Sequence, residues 1–241
     1  MVRLLETAVL EVEIDVLGSM FSEIPSTDLV AQISRQITEA IVSGRLRPGE
    51  RLTELQLSRQ FGTSRAPVRE AARLLESQGL VQSHPRRGFF VRTLTASDLH
   101  DIYELRIALE QRAAATVIEC MPEGFLESLT RQIDRMFRLA DSGSLEQQIF
   151  EDFAFHRLLC AGSGNNRLLR VCDEIATEMR AGITLIGRLY DDPHEIAKTH
   201  EPIVEALAAR DAQRLREALE RHIGTARDAV VALFETLEAQ N

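Results

Sequence analysis

Between Phe61 and Gly79 the sequence permits little but a short, two-faced helix entered through a tight turn. Gly62 ends one element, and Ser64 stands where a side-chain oxygen accepts a backbone N–H at the start of the next. Pro67 falls in the first turn, where a missing N–H is harmless. Val68, Ala71, Ala72 and Leu75 recur at helical spacing as an apolar face. Arg65, Arg69 and Arg73 recur every four residues on the other side. Small apolar residues behind an arginine row suit a helix that docks in a groove one helix wide. The DNA major groove has that width, and Arg65 or Arg69 suits a bidentate bond to guanine there.

A net charge of −9 argues against a nucleic-acid partner until it is divided along the chain. Residues 27–92 hold 11 Arg against 6 acids, a net of +5, whereas residues 93–241 carry −10 and residues 1–26 carry −4. A small basic module able to meet phosphate is joined to a larger acidic one that stays off DNA. At 241 residues both can be ordinary domains. No apolar run reaches about 18 residues, so no membrane-spanning helix is expected. Acids at 6, 11, 13 and 15 break any signal-peptide hydrophobic region. Cys120, Cys160 and Cys172 read as reduced core thiols of a cytoplasmic protein.

Residues 1–26 form an extension without an assigned role. Val9–Leu17 reads as an edge strand or as disorder, and Met20 is an alternative start. Ser26-Thr27-Asp28 caps a helix to about Ser43, with Leu29, Ile33, Ile37 and Ile41 on one face. Arg45–Leu52 is a turn around Pro48-Gly49. Thr53 caps a second helix, Glu54–Phe61, and a three-residue turn leads to the arginine helix. That pair makes a helix-turn-helix. Two apolar runs, Leu80–His84 and Phe89–Arg92, flank a tip of Pro85, Arg86, Arg87 and Gly88, which predicts a β-hairpin and hence a winged helix over 27–92. Arg86 and Arg87 stand where a wing meets the phosphate backbone or the minor groove. From Thr95 or Ser97, each able to cap, helices are expected at about 96–119, 123–141, 145–161, 165–188, 193–209 and 211–238. The fold class is therefore mainly α. An N-terminal winged helix-turn-helix domain precedes a C-terminal all-α bundle of six to seven helices, residues 93–241, that encloses a ligand or metal pocket.

Asp152 and His156 are spaced i,i+4 among Phe153, Phe155, Leu158 and Leu159, so a carboxylate and an imidazole share one face. His200 and His222 also lie mid-helix near apolar residues. One Asp and three His suit Zn, Ni, Mn or Fe, but spacing does not show that the helices converge, and the four can equally be scattered hydrogen-bonded residues. His84, His100 and His194 read as exposed. Arg106 lies in a mainly apolar helix and needs an anionic partner if it points inward. That partner is a ligand, or Glu110 at i,i+4, unless the side chain is exposed. Arg180 is a second candidate of this type. No nucleophile elbow or phosphate loop appears, and Gly162-Ser163-Gly164-Asn165 is a turn between helices.

Residues 27–92 resemble the winged-helix domain of GntR-family bacterial transcription regulators. The likeness rests on Pro48-Gly49, Phe61-Gly62, Ser64-Arg65-Ala66-Pro67-Val68-Arg69-Glu70-Ala71, Gly79-Leu80-Val81 and Arg87-Gly88-Phe89-Phe90-Val91. Residues 95–235 resemble the FCD-type effector domain of the FadR branch, through Asp101–Arg106 with Leu109-Glu110, Asp152–His156, His200 and His222. Thr199 and Leu215 stand where that branch usually has an acid and an alanine. The resemblance implies a homodimer on a pseudo-palindromic double-stranded operator, with Ser64, Arg65, Ala66, Pro67 and Arg69 at the major groove and Arg86, Arg87 and Gly88 on the backbone. It further implies a divalent metal, with zinc favoured, on Asp152, His156, His200 and His222, and a small carboxylate metabolite held beside it by Arg106 and Arg180. The expected function is a cytoplasmic, effector-controlled repressor and not an enzyme. Its alternatives are a sensor of the metal itself and a metalloenzyme with His194 or Glu195 as base.

Overall fold

The computed structural model describes residues 28–183 and 192–239. The extension 1–26, the caps at Ser26 and Thr27, and the expected helical stretch 184–188 lie outside them. Helix α1 (Asp28–Val42) buries Ile33, Ile37 and Ile41, but Leu29 is 43% exposed and leaves the expected face one turn early. Helices α2 (Glu54–Gln60) and α3 (Arg65–Ser77) follow. Val68, Ala71, Ala72 and Leu75 of α3 are buried against α1 and α2, as their spacing requires. The two expected caps are corrected: Thr53 and Ser64 occupy N-cap positions in extended backbone, yet neither side chain bonds a helix N–H.

The stretch Arg45–Leu52 is more than a turn. Its last two residues form strand β1 (Arg51–Leu52), antiparallel to β3 (Gly88–Val91), which pairs in turn with β2 (Val81–His84). The sheet order is β1-β3-β2, and Leu52, opposite Phe89, contributes to the core. Two residues in a charged segment carry no periodicity, so this strand was invisible in the sequence. At the wing tip the Arg87 N–H donates to the His84 carbonyl, with Pro85 and Arg86 between them. Arg86 has φ 65°, a left-handed backbone that glycine or asparagine usually takes at this turn position.

Arg92 ends the head. Its guanidinium bonds Asp98 at 2.7 Å and Glu178 at 3.2 Å. Thr95 opens helix α4 (Ala96–Cys120) with a capping box to Asp98. Helices α5 (Phe125–Asp141), α6 (Leu145–Gly162), α7 (Asn166–Ile183), α8 (Pro193–Lys198), α9 (Glu201–Ala208) and α10 (Ala212–Ala239) complete the described bundle. α4 and α10 pack along each other, and one core runs from Leu94 through Tyr103, Leu129, Phe155, Met179 and Leu219 to Phe234. α7 also touches the head: Ala181 packs on the head core. A Cβ added to Gly79, at φ 75°, would come within 2.6 Å of the Glu178 carboxyl carbon. Among the cysteines, Cys160 and Cys172 are buried against each other, whereas Cys120 is exposed at the end of α4 and is not the core thiol expected of it.

The expected helix 193–209 is two helices, because Pro202 has no N–H to offer the Lys198 carbonyl and its ring crowds it. At the break His200 donates its backbone N–H to the carbonyl of Ala197 rather than to that of Ile196. The Ile196 carbonyl is thus left to side chains. Among the described residues no helix is long and apolar enough to cross a membrane.

Candidate metal centre and nucleic-acid interface

The Asp152 and His156 pair on α6, His200 at the α8–α9 break and His222 on α10 converge. One ligand atom from each lies within 4.8 Å of all the others. His156 Nε2 is 3.1 Å from His222 Nε2 and 3.3 Å from His200 Nε2, and His200 Nε2 is 3.2 Å from Asp152 Oδ1. The three imidazoles are buried and Asp152 is partly so. Phe155 closes the site from below, its ring edge-on to His200 with centroids 4.5 Å apart.

Neighbouring groups decide which nitrogen of each ring carries a proton. His200 Nδ1 donates to the freed Ile196 carbonyl at 2.7 Å, leaving the Nε2 lone pair on the cluster. His156 Nδ1 donates to Glu110 Oε2 at 2.6 Å, with the same result. The Nε2 lone pairs of His156 and His200 therefore face the Asp152 carboxylate in a buried space, with His222 alone able to supply a proton among them, a set of donors that suits a cation. Nitrogen and oxygen donors in this ratio, with carbonyl and carboxylate partners behind the imidazoles, fit a first-row divalent metal. His222 differs: its buried Nδ1 has no partner.

Electrostatics reinforce this state. Burial lowers the His156 imidazole, and Arg106 lowers it further against the pull of Glu110. Burial, then His200 and His156, hold the His222 imidazole well below its ordinary value. Burial would raise the Asp152 carboxyl, but the facing His200, then His156 and the Arg106 guanidinium, hold it well below its ordinary value. These shifts favour two neutral imidazoles and an ionised carboxylate, the ligand-competent forms.

Arg106 does point inward. Its Nε donates to Glu110 Oε1 at 2.7 Å, so the i,i+4 ion pair exists, and both partners are buried. Burial would raise the Glu110 carboxyl; His156 and Arg106 override it and bring it down to about 2. Glu110 thus joins Arg106 to His156. The sequence offered it only as one possible salt-bridge partner, because the link to His156 spans 46 residues. The Arg106 guanidinium lies 5.9 Å from the ring centroids of both Tyr103 and Phe153, and its buried Nη2 has no hydrogen-bond partner. Arg106 lines a cleft of about 280 Å³ between α4, α6 and α7, with His156 the one member of the cluster on its wall. Arg180 lines it too, half-buried, with its guanidinium 5.0 Å from the Phe150 ring centroid. His194 is exposed, bonded to Asp192 and Asp141, and does not line the cleft.

On the head, Ser64, Arg65 and Ala66 are exposed where α3 begins, and Pro67 is half-buried beside them. Arg69 is exposed but not free: its Nε and Nη2 donate to both oxygens of Glu54 at 2.9 and 2.8 Å, tying α3 to α2. The bond to Arg69 lowers the Glu54 carboxyl in turn. The structure thus sets Arg65 and Arg69 apart, since the fork of Arg69 is engaged by Glu54. Arg65 forms no hydrogen bond or ion pair with the described residues. In the wing Arg86, Arg87 and Gly88 are exposed, and the Arg87 guanidinium lies 5.4 Å from the Phe90 ring centroid.

Comparison with known proteins fits both halves. Residues 29–91 match the model for bacterial regulatory proteins of the gntR family, and residues 101–225 match the FCD domain. The chain is 33% identical over 199 residues to the uncharacterized HTH-type transcriptional regulator YdhC of Bacillus subtilis, covering 82% of this chain and 87% of that one. It is 30% identical to the probable D-xylose utilization operon transcriptional repressor of Paenarthrobacter nicotinovorans, with 82% and 86% covered. Its fold matches the solved structure of Escherichia coli McbR/YncC at a TM-score of 0.71, 23% identity, and 87% and 98% coverage. These relatives are regulators rather than enzymes, which removes the metalloenzyme reading. With a helix-turn-helix head and a helical FCD domain, the chain belongs to the gntR family of bacterial regulatory proteins and is a transcriptional regulator.

Proposed function

We propose that this regulator is a cytoplasmic repressor. In this reading it binds a pseudo-palindromic operator as a homodimer and leaves it when a small organic acid enters the helical domain. The observation that carries the reading is the convergence of Asp152, His156, His200 and His222 beside a cleft in which Arg106 keeps a partnerless donor. Repression is supported by the role in the name of the D-xylose relative. In the head, Ser64, Arg65, Ala66 and Pro67 bring α3 to the major groove, with Arg65 as the base reader. Arg69 fixes the approach angle through Glu54, and Arg86, Arg87 and Gly88 hold the wing on phosphate.

Asp152, His156, His200 and His222 would hold zinc, nickel, manganese or iron. A cation held there would supply a positive, Lewis-acidic centre next to His156, the cluster residue on the cleft wall. Glu110 orients His156, the Ile196 carbonyl orients His200, and Arg106 offers its Nη2 to a carboxylate as a charge-assisted donor. Arg180 adds a second positive charge to the cleft.

The test uses the full chain, stripped with a chelator and reloaded with each metal. Its DNA is obtained by selection from random duplexes, and binding is read by fluorescence anisotropy. Release that needs both metal and an organic acid supports the proposal. Release by metal alone makes the cation the signal, and metal content unchanged in Asp152→Ala and His200→Ala variants removes the metal site.

A further inference from the structure

We infer that the cleft selects a monocarboxylate with a compact apolar body, an aryl or branched-chain acid, and discriminates against polyhydroxylated sugar acids. The inference rests on the reading that this cleft is the effector site.

It comes from accounting for the polar atoms on the cleft wall. Glu110 spends Oε1 on Arg106 and Oε2 on His156. His156 spends Nδ1 on Glu110, and its Nε2 belongs to the histidine cluster. The Thr177 hydroxyl donates to the Asp173 carbonyl oxygen, and the Asp173 carboxylate accepts from Arg157 at 2.7 and 3.2 Å. Cys160 and Cys172 face each other, and this pairing and burial raise the Cys160 thiol. Arg180 lies over Phe150. Arg106 Nη2 is the buried side-chain donor of the wall that has no partner. Among the described residues the wall therefore offers Arg106 Nη2 as its buried point for an anion, with the charge of half-buried Arg180 in the same cleft, and few groups for hydroxyls. Each hydroxyl of a sugar acid would leave water without a matching group, whereas a carboxylate would gain one.

The rest of the lining fits an apolar body. Phe150, Phe153, Ala154, Ile175, Ala176 and Met179 supply most of it. Phe150 is 53% exposed although it is a large aromatic residue, and a ring or branched chain held beneath Arg180 would cover it. The volume of about 280 Å³ lies at the lower end of small-molecule clefts, which run from about 300 to 1,000 Å³. That is ample for one ring or a branched chain.

The test measures Kd by calorimetry and Tm by thermal shift for phenylacetate, benzoate, 3-methylbutanoate and gluconate. It uses the full chain, both stripped of metal and loaded with zinc. The expected result is that the apolar acids bind at least about 100-fold more tightly than gluconate. Phe150→Ser should then weaken the best of them about tenfold, leave gluconate unchanged and leave the melting temperature of the free protein in place, because Phe150 is exposed. Arg106→Gln should weaken every acid that binds. Gluconate binding as tightly as the apolar acids, or more tightly, overturns the inference while the acid-binding cleft stands. If no acid of either class binds in either metal state, the reading of the cleft as an acid site fails and the inference fails with it.

Discussion

The head and the helical domain solve opposite problems. In the head, the groups proposed to meet DNA stand on the surface and close together in sequence, from Ser64 to Pro67 and from Arg86 to Gly88. In the helical domain, Arg106, Glu110, Asp152, His156, His200 and His222 come from three helices and a helix break, and most of them are buried. An exposed arginine costs the fold little, so it can be exchanged without harming the domain. A buried ion pair must be matched atom by atom, so the helical domain ties its chemistry to its stability.

The largest effect should come from breaking that tie. Glu110→Ala leaves Arg106 and the His156 ring without their shared carboxylate inside the bundle, and the loss should be about 3–5 kcal/mol of unfolding free energy in a denaturant titration. A loss below about 1 kcal/mol would mean that the Arg106–Glu110–His156 chain is not energetically coupled. Acidification should act in the same direction on metal-stripped protein. His156 and His222 are lowered in the fold, so between their folded values and the ordinary imidazole value of about 6.5 the unfolded chain binds more protons than the native one. Stability is then full above about pH 6.5 and declines as pH falls below it. Exposed His194, raised by Asp141 and Asp192, opposes this weakly. A melting temperature that holds level or rises from pH 7 to pH 5 contradicts the assignment.

In the head the effects should separate binding from folding. Arg65→Ala should cost about 1–3 kcal/mol of discrimination at one base position with an unchanged melting temperature. Arg69→Ala should lower stability only slightly, because the Glu54 bridge is exposed. It should weaken all sequences alike through the tilt of α3. If Arg69→Ala relaxes specificity at one base while Arg65→Ala does not, their roles are reversed. The smallest effect is at the wing. Arg86→Gly relieves a left-handed backbone at the cost of a looser unfolded chain, a net change of about 1 kcal/mol or less. It should also lower the salt slope of DNA binding by about one unit for each phosphate that Arg86 no longer neutralises.

Much of the fold was legible because its signals are local. The alanine face of α3, the Pro-Arg-Arg-Gly wing tip and the i,i+4 spacing of Asp152 and His156 each lie within one element. Strand β1 was hidden because two residues have no period, and the α8–α9 break because Pro202 was absorbed into one apolar pattern. The four metal candidates stand out in the sequence, but the partners that fix their protons do not. Glu110 reaches His156 across 46 residues, and the Ile196 carbonyl is available only because a proline interrupts the helix. The engagement of Arg69 by Glu54 was equally silent, since a helix wheel shows which way a side chain leaves but not what it meets.

Arg92 carries a further consequence. Because it grips both Asp98 and Glu178, and because Gly79 leaves no room beside Glu178 for a side chain, the head is clamped to the bundle rather than tethered to it. In a dimer the distance between two clamped heads is a dimension of the helical domains, like the gap of a caliper. One added base pair between half-sites turns them about 35° against each other and parts them by about 3.4 Å. A tethered head could follow that change; a clamped one must give up part of its hold on the DNA. In the proposed homodimer the spacing of the two half-sites is thereby written in an ion pair some distance from the residues proposed to read them.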